Sequence, residues 1–181
     1  MEPIYTEFLN SARSEFERYR KLGEAAMAQL SDRELYLQPG PADNSVAVIV
    51  NHLAGNMLSR WTNFLAEDGE KPWRNREAEF GTPPATREKL TANWQAGWDC
   101  LFAALETLGA ADPGAKVMIR NQPHSIAQAV HRQLAHYASH VGQMVYLAKM
   151  LKGPNWEYLS IAPGQSEAFN RQLFGSGSNP T

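Results

Sequence analysis

Apolar residues recur at spacings of three and four over four long stretches of the chain, and no stretch shows sustained two-residue alternation. In the first, over residues 5–30, Tyr5, Phe8, Leu9, Ala12, Phe16, Tyr19, Ala26 and Leu30 form one stripe, as on a helix with a single buried face. Ser31-Asp-Arg-Glu34 has the spacing of a capping box and predicts a short extra helix, stopped by Gln38-Pro-Gly-Pro41. The second long helix is predicted from Asn44 or Ser45 to Ala66, ended by Asp68-Gly69 and Lys71-Pro72. A polar loop with Trp73-Arg-Asn-Arg-Glu77 leads to Pro83-Pro84. The third long helix covers residues 86–108, with Leu90, Trp94, Trp98, Leu101, Leu105 and Leu108 on its stripe and Gly109 at its C-terminus. Residues 110–123 read as a loop with a short extended piece at 116–120. The fourth long helix covers residues 125–152 and stops at Gly153-Pro154. Residues 155–169 read as a tail anchored by Trp156, and residues 175–181 as a frayed end.

The predicted fold class is therefore all-α: an antiparallel up-down four-helix bundle with a short extra helix and a packed C-terminal tail. Residues 1–170 are expected to form one domain and residues 171–181 a flexible tail.

Composition narrows the function classes. Of 181 residues, 43% are hydrophobic and 20% charged, and 17 Lys+Arg against 19 Asp+Glu leave a net charge of −2. That balance, with no basic stripe, argues against nucleic acid as a partner. The longest apolar run is the five residues 46–50, too short to cross a bilayer, and residues 1–7 lack the pattern of a signal peptide; the expectation is a cytoplasmic protein without a membrane partner. A single cysteine, Cys100, excludes an intrachain disulfide framework and a cysteine-rich zinc module; on the third helix it reads as a small core residue.

The histidines carry the chemistry. His136 and His140 are four residues apart, about 40° around a helix and one turn along it, a spacing at which two imidazoles can close on one metal ion. With His136 at 0°, the apolar residues of that helix cluster between about 20° and 120°, so both rings face inward while His131 lies on the opposite side. His124 reads as a neighbour of the helix cap. On the second helix His52 flanks the apolar face, followed on the same side by Asn56, Arg60 and Asn63. A buried stripe of imidazole, amide and guanidinium is costly unless each group finds a partner, and a polar pocket with His52 at one end satisfies that condition. A lone inward histidine is ordinarily a hydrogen-bonded core residue. Three on two helices fit a metal site with coordination positions left open. No carboxylate is read on the histidine faces, and Glu67 is the nearest miss. The Trp73–Glu77 loop reads equally as an anion or partner site and as a loop pinned by its Trp and surface ion pairs.

Four segments carry a resemblance: Asn51-His-Leu-Ala-Gly-Asn-Met57, Asp68-Gly-Glu-Lys-Pro-Trp-Arg-Asn-Arg76, Arg132-Gln-Leu-Ala-His-Tyr-Ala-Ser-His-Val-Gly-Gln143 and Asn155-Trp-Glu-Tyr-Leu-Ser-Ile161. Across residues 44–170 the chain resembles the DinB-like metal-binding four-helix superfamily, in a bacterial branch described as a domain of unknown function. The resemblance implies one divalent metal, zinc or nickel, on His52, His136 and His140. It also implies a relation to transferases that use bacillithiol, mycothiol or glutathione, and homodimerisation. The expected function is metal-dependent transfer of a small thiol in detoxification or stress response, with Asn56, Arg60, Asn63 and Gln143 as candidate substrate-binding residues. The competing readings are a non-enzymatic dimeric bundle that binds metal or ligand and a plain bundle whose histidines are core residues.

Overall fold

The computed structural model describes residues 3–175. The described residues include seven α-helices: α1 (Pro3–Ala28), α2 (Asp32–Tyr36), α3 (Val46–Trp61), α4 (Arg76–Glu79), α5 (Arg87–Leu108), α6 (Ile126–Lys152) and α7 (Ser166–Phe174). A hairpin of β1 (Lys116–Ile119) and β2 (Gln122–Ser125) precedes α6, and a 3-10 turn, Gly153–Asn155, follows it.

The helix starts follow from side-chain oxygens that accept otherwise idle N–H groups. Ser31 and Glu34 form the predicted capping box, Ser45 and Thr86 cap α3 and α5, and Ser125 pairs with Gln128 in a second capping box at α6. The ends agree less well. Helix α3 stops at Trp61, five residues short of Ala66, because Thr62 turns extended and Asn63 adopts φ 48°. The loop read at 110–123 contains a two-stranded hairpin closed by Arg120 and Asn121 at φ 53° and 59°, the backbone of a type I′ turn. Pro123 masks β2 in the sequence; a two-stranded ribbon tolerates it, since one edge of each strand has no partner. His124 lies in β2 and directly precedes Ser125, the cap of α6, as its position in the sequence indicated. Residues 166–174 are helical, so what was read as tail on either side of residue 170 contains α7; residues 176–181 lie outside the described residues.

Helix α3 packs along α5 and α1 along α6, while lesser contacts of α3 with α6 and of α1 with α5 join the two pairs. The apolar stripes meet in one core in which Phe16, Trp94, Trp98 and Tyr137 are fully buried. Trp94 and Trp98 meet edge to face at 5.4 Å, and Phe16 contacts Trp61 at 5.9 Å in the same way, arrangements that suit the aromatic quadrupole. At its far end the chain returns to α1: Trp156 is buried, and Gln29 exchanges two hydrogen bonds of 2.9 Å with the backbone of Glu157. Among the described residues, no helix is long and apolar enough to cross a membrane.

Candidate metal centre

Helix α6 presents His136 and His140 one turn apart, and α3 brings His52 against them. One nitrogen from each ring lies within 4.8 Å of the other two. Nε2 of His52 faces Nε2 of His136 at 3.3 Å, and the ring centroids of all three are 4.7 to 5.3 Å apart. Outside this cluster, His131 is exposed and touches the edge of Phe8, and the His124 Nδ1 lies 2.9 Å from the Gln122 carbonyl oxygen.

Partners behind the cluster set the orientation of two rings. His52 Nδ1 lies 2.8 Å from Oε2 of Glu79. A carboxylate only accepts, so the proton sits on Nδ1 and the lone pair on Nε2, turned toward His136. His140 Nδ1 lies 2.8 Å from Oε1 of Gln143, which likewise leaves Nε2 as the free donor atom. The Nδ1 of His136 is buried without a hydrogen-bond partner. Burial, with His140 and His52 beside it, pushes the His136 imidazole down to about 3, and burial also lowers His140. Both rings are therefore neutral near pH 7, the state in which imidazole is a ligand. Converging lone pairs with carboxylate and amide support behind them are the donor set of a borderline divalent ion, so the residues present fit such a metal.

Glu79 was not legible as a site residue. It arrives from α4, whose first turn is capped by Asn75 accepting from the Ala78 N–H. Asn51 of α3 donates to the Glu79 backbone oxygen at 3.0 Å, and Arg74 grips both carboxylate oxygens at 2.8 and 2.9 Å. Burial works to raise the Glu79 carboxyl, but the hydrogen bonds from His52 and Arg74 outweigh it and hold the group below the usual carboxylate range. Gly55 was the available signal: an isolated glycine inside a helix usually marks a close approach. A Cβ there would lie 2.6 Å from Oε1 of Glu79. The reading that no carboxylate lies at the histidine faces is thus corrected, because one enters from a loop helix. Glu67 points elsewhere, to Lys71 and Asn63. In the Trp73–Glu77 loop, the pinned residue is Arg74, 3% exposed, and not Trp73, 58% exposed.

The histidines open into a cavity of about 610 Å³ that also contains Asn56, Arg60, Phe80, Arg132 and Gln133. Phe80 stacks on His52 at 4.4 Å and shields that side of the ring. Asn56 accepts from Tyr137 at 3.0 Å, and Tyr137 accepts from Trp61 at 3.0 Å, so a short relay joins the cavity to the aromatic core. Arg60 is buried in the cavity wall, whereas Asn63 lies beyond the end of α3 with its amide on Glu67. Gln143 touches the cluster only through His140.

These features define a mostly helical protein with a three-histidine cluster in an open polar cavity. The chain belongs to the family described as Protein of unknown function (DUF1572), whose model matches residues 3–165. No curated protein and no solved structure matches it.

Proposed function

We propose that the protein is a divalent-metal-binding member of the DinB-like superfamily that uses its centre to activate a small thiol for transfer to an electrophile, in detoxification or stress response. The observation that carries this reading is the convergence of His52, His136 and His140 in an open cavity, two of them oriented by Glu79 and Gln143. The pairwise packing of α1, α3, α5 and α6 supports the antiparallel up-down four-helix bundle that this reading requires. Zinc or nickel suits imidazole donors. When bound, such an ion lowers the pKa of a coordinated thiol, so that the thiolate is available at neutral pH. The chain's own residues do the rest. Glu79 holds the His52 tautomer, Gln143 orients His140, Phe80 keeps water from the His52 ring, and Arg60 and Asn56 orient the bound molecule. A homodimer formed through outer helix faces belongs to the same reading; Tyr146 and Met150 of α6 are exposed apolar residues on such a face.

A second reading, a non-enzymatic metal- or ligand-binding bundle, draws on one observation. Glu79 is engaged by His52 and Arg74, which leaves no free carboxylate beside the histidines to move a proton. Elemental analysis of untagged protein beside a His136→Ala/His140→Ala variant tests both. About one zinc or nickel per chain, absent from the variant, is the expected result. Consumption of glutathione or bacillithiol by the metal-loaded protein, with a chlorinated nitroarene as electrophile, then supports the transferase, and metal without turnover supports the binding module. No metal in the wild type after incubation with zinc and nickel overturns the transferase and leaves the second reading only its ligand-binding form.

A further inference from the structure

Beyond the histidines, the cavity wall is cationic. Arg60, Arg74, Arg76, Arg120 and Arg132 line it, and among the described residues no carboxylate does. They converge from α3, the loop before α4, α4 itself, the hairpin turn and α6. Glu77 pairs with Arg76 alone, at 3.1 Å, and the two carboxylates that serve the others are oversubscribed. Glu79 is taken by Arg74 and His52. Glu70 is shared by Arg120 at 3.1 Å, Arg74 at 3.3 Å and Arg60 at 3.9 Å.

Of the two arginines with buried side chains, Arg60 is the worse served. It is 4% exposed, its Nε and Nη1 have no hydrogen-bond partner, and its one carboxylate lies beyond hydrogen-bond distance. Gln133, which lines the same cavity, is 2% exposed with Oε1 unpartnered. A buried guanidinium with idle donors is destabilising until an acceptor arrives. The fold nonetheless makes room for it: a Cβ on Gly69 would sit 2.5 Å from Nη1 of Arg60. It also braces the turn that carries Arg120, whose backbone N–H and that of Asn121 both donate to Asp68, at 2.8 and 2.6 Å. All five cations are arginines, whose planar fork binds two oxygens of a carboxylate or phosphate at once, which a lysine ammonium does not.

We infer that this wall is an anion subsite. The cavity takes a small molecule carrying a carboxylate or phosphate oxyanion, gripped by Arg60, Arg120 and Arg132, with its other end at the three imidazoles. The inference rests on the proposed function only for what that other end meets; the anion grip rests on the arginines alone. The cavity volume is that of a small-molecule site.

Calorimetric titration of inorganic phosphate, and separately of succinate, into the full-length chain at constant ionic strength tests it, first after metal stripping and then after zinc loading. Saturable binding of at least one probe to the stripped protein is expected, with phosphate or succinate preference identifying the oxyanion. Arg60→Met keeps the buried bulk and should weaken binding roughly tenfold or more. Arg120 and Arg132 are exposed, so Arg120→Gln/Arg132→Gln leaves the core intact and carries the test if Arg60→Met does not fold. Absence of saturable binding of both probes, or affinities unchanged in the variants, overturns the subsite. Metal content measured on the same samples separates the two proposals: metal without anion binding removes the subsite and leaves the centre, and anion binding without metal does the reverse.

Discussion

The side of the core supplied by α1 and α5 and the side supplied by α3 and α6 use burial differently. Among the described residues, His52, Asn56, Ser59 and Arg60 on α3 and Gln133 on α6 are buried polar or charged side chains, and α1 and α5 contribute none. Phe16, Trp94 and Trp98 need only shape and contact, which many apolar arrangements supply. Each polar group on the other side needs a particular partner at a particular distance: Glu79 for His52, Tyr137 for Asn56, the Gly69 carbonyl for Ser59. The Trp61–Tyr137–Asn56 relay belongs to α3 and α6, and the Tyr137 ring joins it to the other side by packing on Phe16 and Trp98 at 5.9 Å. The apolar side therefore carries stability, and the polar side draws on that stability to hold a constellation suited to ligands.

Breaking the apolar side should have the largest effect on folding. Trp98→Ala should lower stability by about 3–5 kcal/mol, read as the urea midpoint, while metal per folded chain stays unchanged. Loss of metal in the protein that remains folded would show that the two sides are not separable. Glu79→Ala works from the other side. It leaves Arg74 buried and half-paired, at about 3 kcal/mol, and frees the His52 ring, so metal affinity measured by chelator competition should fall roughly 10–100-fold.

Gly55→Ala sharpens the contrast, because local propensity and site geometry disagree. Helix propensity alone favours alanine by about 1 kcal/mol. The Cβ would meet Glu79 at 2.6 Å, so we expect a net loss of stability and roughly tenfold weaker metal binding. A more stable protein with unchanged metal affinity would mean that Glu79 is not held against α3.

Acid comes next. His136 stays neutral in the folded chain down to about 3, whereas the unfolded chain takes up that proton near 6.5. Below 6.5 the unfolded state binds more protons, so stability of the metal-stripped protein is full above that pH and falls as pH drops toward 3. His136→Asn should flatten this limb of the urea-midpoint profile, and a limb unchanged in the variant would assign it to other groups. The smallest change in stability is expected for Gln143→Ala, an exposed position: within about 0.5 kcal/mol in stability, but roughly tenfold in metal affinity if orientation of His140 matters.

Much of this was readable in the chain, and the reasons are local. The three- and four-residue spacing of apolar positions defined the long helices, Ser31 marked the start of the short α2 and Ser45 and Thr86 those of two long ones, and the angular positions of His52, His136 and His140 turned them inward. Local rules ran out where a conformation depends on distant partners. Asn63 leaves the helix with its amide on Glu67, so it never reaches the cavity its helical angle predicted. The Arg120–Asn121 turn is held by Asp68, some 50 residues earlier, and no periodicity reports that.

The sequence alone determined which faces are apolar and which imidazoles share an interior, because helical geometry converts spacing directly into direction. Only the tertiary structure decided that Glu79 stands behind His52, that Arg74 holds it there, and that Arg60 is left buried with idle donors. Those outcomes depend on which loop crosses which helix, and on charge pairs whose worth is set by burial rather than by residue type.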